Sequence, residues 1–114
     1  MPLLSQDKPA ALPIVTAFEC PRYPSDAKSL RLQGVVQMQV TTDGHAVSDV
    51  KVLPSHPVLA REAMKNVRTW KFADHKPTTF IVTFVYELET HYKRDPETQC
   101  TAKLSLPSEV RVGY

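Results

Sequence analysis

Val36-Gln37-Met38-Gln39-Val40, then Thr42-Asp43-Gly44-His45, then Val47-Ser48-Asp49-Val50-Lys51-Val52-Leu53: the reading of this stretch decides the fold. Apolar and polar residues alternate strictly over 36–40, which predicts a strand with one buried and one wet face. Asp43-Gly44 is the strongest short-range signal for a tight antiparallel reversal. Val47 to Leu53 then returns as a second strand. The parity of its apolar residues changes between Val47 and Val50, so a bulge is expected there.

Downstream, Pro54-Ser55-His56-Pro57 breaks the strand, and Pro57 suits a first helical turn behind a Ser55 or His56 cap. Leu59, Ala63, Val67 and Trp70 then fall on one helical stripe, with Arg61, Glu62, Lys65, Asn66 and Arg68 covering the other face. After Pro77, residues 78–88 predict a long third strand. Phe80, Val82, Phe84, Tyr86 and Leu88 share one face of it, and Ile81, Thr83, Val85 and Glu87 the other. Arg94 to Thr98 reads as a turn. Thr101 to Leu106 is expected to pair back on the third strand, with weaker alternation at Val110 and Val112.

Upstream, Tyr23 to Leu30 predicts a short helix with Pro24 at its first position, Ser25 and Asp26 at its positive end, and a stop near Arg31. Residues 1–22, with Pro2, Pro9, Pro13 and Pro21, read as an extended tail or linker end, in which Ile14 to Phe18 can add a short strand to a sheet edge. The expected fold class is α+β: two layers, two helices packed on one face of a three- to four-stranded antiparallel sheet. The expected division is a tail over 1–22 and one domain over 23–114, with an extra C-terminal hairpin over about 89–114.

The chain has 114 residues, 42% of them apolar, enough for one core. A chain of this size buries roughly 65% of its unfolded surface, so a staple would help it. The net charge is +2, with basic and acidic residues interspersed, which gives no field to gather nucleic acid or anionic lipid. No apolar run reaches the roughly 18 residues needed to cross a bilayer. Asp7 and Lys8 interrupt any signal-type apolar stretch. Either the chain is cytosolic, or a signal or anchor lies ahead of Met1. The two cysteines, Cys20 and Cys100, bear on that choice. They are either two unrelated small hydrophobes or a disulfide flanking the predicted core on both sides. The second reading is favoured; it implies an oxidising compartment and a stabilisation with a ceiling of about 4–5 kcal/mol.

Little in the chain suggests chemistry. His45, His56, His75 and His91 show no helical i, i+4 spacing and no His-x-His pair, and no Cys-x-x-Cys occurs, so no metal is expected. Cys20 lies between Glu19 and Pro21 with no histidine beside it, which argues against a nucleophile. Glu87 and Glu89 fall on one strand face and read as a solvated edge. Three unclustered glycines make no phosphate cradle. Neither a catalytic residue nor a cofactor is expected. Ile81 and Val85, however, are apolar on the face that should be wet, which implies cover by the chain's own tail, a second copy or a separate protein.

Residues 23 to about 88 resemble the TonB C-terminal family through a spaced pattern: Tyr23-Pro24-x-x-Ala27, Gly34, the alternation of Val36, Met38 and Val40, Asp43-Gly44, Val47 with Val50, Ser55-His56-Pro57-Val58-Leu59, and Trp70-Lys71-Phe72. Arg31 stands where many relatives place Gly after the first helix. The resemblance implies a non-enzymatic periplasmic binding module. In the family's transducers, an inner-membrane anchor and a Pro-rich spacer hold such a domain, and it grips an extended peptide of an outer-membrane transporter. The peptide adds as a strand beside the last family strand, by main-chain hydrogen bonding. Carried over, the partner-binding residues are Phe80, Ile81, Val82, Thr83, Phe84, Val85, Tyr86, Glu87 and Leu88. The alternative expectation is a free-standing secreted structural or assembly domain. Its edge would then be covered by residues 89–114 or by a strand-exchanged second copy.

Overall fold

The structure, a computed structural model, describes residues 12–114; Pro2 and Pro9 of the expected tail lie outside them. In chain order the elements are β1 (Val15–Ala17), α1 (Ser25–Ser29), β2 (Gly34–Thr42), β3 (Val47–Val52), α2 (Pro57–Val67), β4 (Lys71–Phe72), β5 (Thr79–Glu87), β6 (Lys103–Ser105) and β7 (Glu109–Gly113). The architecture is α+β, with the helices against one face of a five-stranded sheet ordered β3-β2-β5-β7-β6. All neighbours in it are antiparallel except β5 and β7, which run parallel, so the sheet is mixed rather than purely antiparallel.

The β2–β3 reversal forms as its sequence dictates. The Asp43 carboxylate accepts the N–H groups of His45 and Ala46, each at 2.9 Å. Gly44 holds φ 108°, and a Cβ there would meet the His75 carbonyl at 2.8 Å, so both conformation and space call for glycine. The parity change in β3 is a register shift opposite Thr41 and Thr42. Gly34 to Thr41 pairs without interruption against Thr79 to Tyr86, which puts Val36, Met38, Val40, Val82 and Phe84 fully inside the core.

His56 caps α2, its Nδ1 accepting the Val58 N–H at 3.2 Å with Pro57 at the first helical position. Leu59, Ala63, Val67 and Trp70 are buried as one stripe, with the Trp70 ring stacked at 6.3 Å on Phe84 of the sheet. Asn66, expected on the wet face, is instead 7% exposed. Its Oδ1 accepts the Trp70 indole N–H at 3.1 Å, and its Nδ2 donates to the Glu19 carbonyl at 2.9 Å. A buried indole N–H needs an acceptor, and Asn66, one turn back, supplies it.

At the other helix, Pro24 is the N-cap of α1 rather than its first residue, and no side chain caps it. The predicted short strand around Ile14 to Phe18 forms as β1. It pairs with β4 in a separate two-stranded ribbon, not on an edge of the main sheet.

The C-terminal segment differs most from expectation. The strand beside β5 is β7, not the 101–106 stretch, and β6 pairs on β7's far side. The reason is apolar area. Val110 and Val112 both turn into the core, at 0% and 3% exposure, whereas β6 offers only the half-buried Leu104. The strand with more to bury takes the inner position. A parallel neighbour also needs a long crossover, and residues 88–108 supply it.

Candidate functional site

Backbone parity along β5 follows from its two ladders. Thr42 N–H donates to the Thr78 carbonyl, and the even-numbered residues of β2 and β5 pair across that ladder, so the odd-numbered residues of β5 turn their N–H and C=O groups to the opposite border. On that border Thr83 N–H donates to the Ser108 carbonyl at 2.8 Å, Tyr114 N–H to the Glu87 carbonyl at 3.1 Å, and Glu89 N–H to the Tyr114 carbonyl at 2.6 Å. The register runs from Thr83 opposite Glu109 to Glu87 opposite Gly113. The border expected to be open at Phe80 to Leu88 is therefore occupied by the chain itself from Thr83 onward. Among the described residues, Thr79 and Ile81 alone in β5 have no strand beside them there.

Side chains reinforce this closure. On the wet face Arg111 of β7 reaches Glu87 of β5 at 3.1 Å and Glu109 at 2.7 Å, while the Tyr92 hydroxyl donates to Glu87. The hydrogen bond to Glu87 pushes the Tyr92 phenol above its ordinary range, and the Glu109 carboxylate raises Arg111. On the core face Tyr86 packs between Phe84 and Tyr23, and burial pushes its phenol well up. Gly113 sits so close under the Thr90 carbonyl that no Cβ fits. Cys100, 1% exposed, is bonded to Cys20 with Cα atoms 5.3 Å apart. That disulfide ties the crossover behind β5 to the strap ahead of α1.

The expected site residues thus separate into two sets. Phe80, Val82, Phe84 and Tyr86 are core residues. Ile81, Thr83, Val85 and Glu87 line the sheet face away from the helices, with Ile81 still 47% exposed, and Leu88 lies just past the strand. Sequence reasoning missed Arg111 and Glu109, whose ion pairs beside Glu87 depend on a parallel register that no local pattern carries, and Tyr92, whose hydroxyl turns back to Glu87 five residues earlier.

The histidines remain apart in separate structural contacts. His45 pairs with Asp74 at 2.7 Å, His75 bonds Thr42 at 2.7 Å, and His56 caps α2. Among the described residues no three His, Cys, Asp or Glu side chains gather closely enough to hold a metal. Glu87 and Glu89 have different partners, Arg111 and Arg31. A cleft of about 440 Å³ beside Cys20 is lined by charges of both signs, the exposed Arg22 and Lys65 and the half-buried Lys28 and Glu62 among them. No helix among the described residues is long and apolar enough to cross a membrane.

Comparison with known proteins agrees with the fold. The profile of the family described as Gram-negative bacterial TonB protein C-terminal matches residues 19–93. Protein TonB of Escherichia coli (strain K12) is 36% identical over 66 residues, which span 54% of this chain and 27% of that protein's length. The family match ends at Lys93, so β6 and β7 lie beyond it. A family match over residues 19–93, most of the chain, has one conclusion: this chain belongs to the TonB C-terminal family.

Proposed function

We propose that this chain is a non-enzymatic, TonB-type protein-interaction domain of the periplasm whose own β6–β7 hairpin occupies the border at which a partner strand adds. One observation carries the reading: β7 runs along Thr83 to Glu87, the border inferred from the family resemblance to receive a partner. The Cys20–Cys100 disulfide supports an oxidising compartment. In this reading an extended segment of an outer-membrane receptor competes with β7 for the backbone of Phe80 to Leu88. Its apparent affinity is lowered by the small fraction of molecules with the hairpin displaced. The same pairing favours a second reading, in which the hairpin closes the border permanently and the domain is structural.

Titration of the oxidised chain and of its Val112→Pro variant with synthetic peptides from receptor N-termini separates the two. Proline removes an N–H from β7 and a buried side chain from its core face. The expected outcome is chemical-shift change along 80–88 at lower peptide concentration in the variant than in the parent chain. Unchanged shifts in both proteins overturn strand addition and leave the structural reading.

A further inference from the structure

The two ends of the Cys20–Cys100 bridge are unlike. Cys100 is 1% exposed, whereas Cys20 is exposed and stands on the wall of the cleft of about 440 Å³. Cys20 also belongs to a fixed segment. Glu19, the residue before it, donates its N–H to the Thr69 hydroxyl at 3.0 Å, and its carbonyl accepts from Asn66 Nδ2 at 2.9 Å, which fastens the strap to the end of α2. Cys100 belongs to the crossover. Among the described residues, the hydrogen bonds that residues 90–101 donate go only to partners within 87–100. The bridge is therefore the bond that fastens this stretch to the helix layer.

We propose that this bridge is an exchangeable redox site, attacked at Cys20 Sγ by the thiolate of a protein dithiol, and that its reduction loosens the crossover and with it the hold of β7 on β5. It rests on the reading that β7 occupies the border a partner strand needs. A thiolate attacks the disulfide sulfur it can reach, and exposed bridges are the labile ones; Cys20 is reachable and Cys100 is not. Arg22, Lys28 and Lys65 line the cleft against Glu19 and Glu62, a net positive charge that favours an incoming thiolate. The exchange balances in two steps. First the sulfur of the dithiol bonds to Cys20 Sγ, the Cys20–Cys100 bond breaks, and Cys100 leaves with the electron pair and takes up a proton. Its sulfur lies 3.5 Å from the Thr98 carbonyl, an acceptor for the buried thiol. Then the second thiolate of the dithiol attacks its own bonded sulfur, closes a disulfide there, and releases Cys20, which is protonated in turn. Two electrons pass from the dithiol to the bridge. The segment set free is the crossover, because Cys20 stays fastened beside α2. In an oxidising compartment the bridge is closed by default, so β7 covers β5 until such a dithiol arrives.

Reduction of the oxidised full chain without denaturant, by glutathione and by dithiothreitol, tests the exchange step. The expected rate is first order in thiol, and with excess maleimide trapping the freed thiol, peptide mapping finds glutathione on Cys20 and maleimide on Cys100. A rate that levels off at the global opening rate of the β2 amides, or glutathione on Cys100, overturns the site. Hydrogen exchange reads the consequence. The amides of Thr83, Val85 and Glu87 face β7, and those of Val82 and Phe84 face β2. On reduction the first set is expected to exchange faster relative to the second by about tenfold or more. An unchanged ratio, including the case in which the reduced chain opens only as a whole, overturns the gate. Peptides from receptor N-termini separate this outcome from the reading beneath it. Shifts along 80–88 in oxidised Val112→Pro but not in the reduced parent chain keep strand addition and overturn the gate. Shifts in neither overturn strand addition, and the exchange ratio alone then decides whether the bridge holds β7.

Discussion

Arg31 holds φ 51° immediately after α1, a left-handed conformation that costs a side-chain-bearing residue about 1–2 kcal/mol. The position requires it. Leu32 N–H reaches back to the Ala27 carbonyl at 2.9 Å and Arg31 N–H to the Lys28 carbonyl at 3.1 Å, the pair of bonds that closes a helix end when the residue between turns left-handed. The one visible compensation is an ion pair with Glu89 at 3.0 Å. Those side chains are 59% and 82% exposed, so solvent screens the pair to little net value. Arg31→Gly relieves the conformation but adds freedom to the unfolded chain, and its expected net effect is a stabilisation of about 0.5–1 kcal/mol in urea denaturation. Arg31→Ala, which loses the ion pair and keeps the conformation, is expected to stabilise nothing. A Gly variant no more stable than the Ala variant shows that the turn is not strained.

The β2–β3 hairpin shows how far a local pattern reaches. Its strands, turn and bulge were legible because alternation, Asp43-Gly44 and the shift in parity all act over a few residues. The buried stripe of α2 was legible for the same reason, but the role of Asn66 was not, since its partners include a carbonyl 47 residues away. β7 was the least legible. Three alternating residues in a weak pattern give no hint of a parallel partner reached after a long crossover, and only the burial of Val110 and Val112 decides it. Hence cover of the border by residues 89–114 was legible as an alternative, but the strand that provides it, β7 running parallel rather than the 101–106 stretch, was the part hidden from the sequence. The hairpin also carries a pH dependence. The N–H groups of Ala46 and then His45 hold the Asp43 carboxyl below its ordinary 3.8. A depressed carboxylate contributes stability that is present above the unfolded value and lost as pH falls through the folded one. The acid limb of stability against pH, below about 4, is therefore expected to flatten in Asp43→Asn, whose amide oxygen accepts the same two bonds without titrating. Parallel acid limbs in the two proteins remove Asp43 from the cause.

At the scale of the whole molecule, Cys20 and Cys100 join the two segments that flank the helix and hairpin core, with a sequence separation of 80. A loop of that length gives the chain-entropy argument nearly its full range, about 4–5 kcal/mol as an upper bound, with removal of natural disulfides in small domains costing about 2–5 kcal/mol. The loss is not expected to fall evenly. β2, β3, α2 and β5 are joined by the long β2–β5 ladder and the buried stripe of α2, and none of them depends on the bridge for its neighbours. The crossover and the β6–β7 hairpin have less to hold them: one parallel ladder, Leu104, Val110, Val112, and partly exposed ion pairs at Arg111. Breaking the bridge with Cys20→Ser and Cys100→Ser together should therefore lower global stability by about 2–5 kcal/mol. In native-state hydrogen exchange, the amides of Glu109 to Gly113 should become the first protected group to open, ahead of those of β2. If β2 and β7 open together at the lowered stability, the hairpin belongs to the same cooperative unit as the core. The border of β5 could then be freed only by unfolding the domain, and competition by a partner strand would have no partly open state to act on.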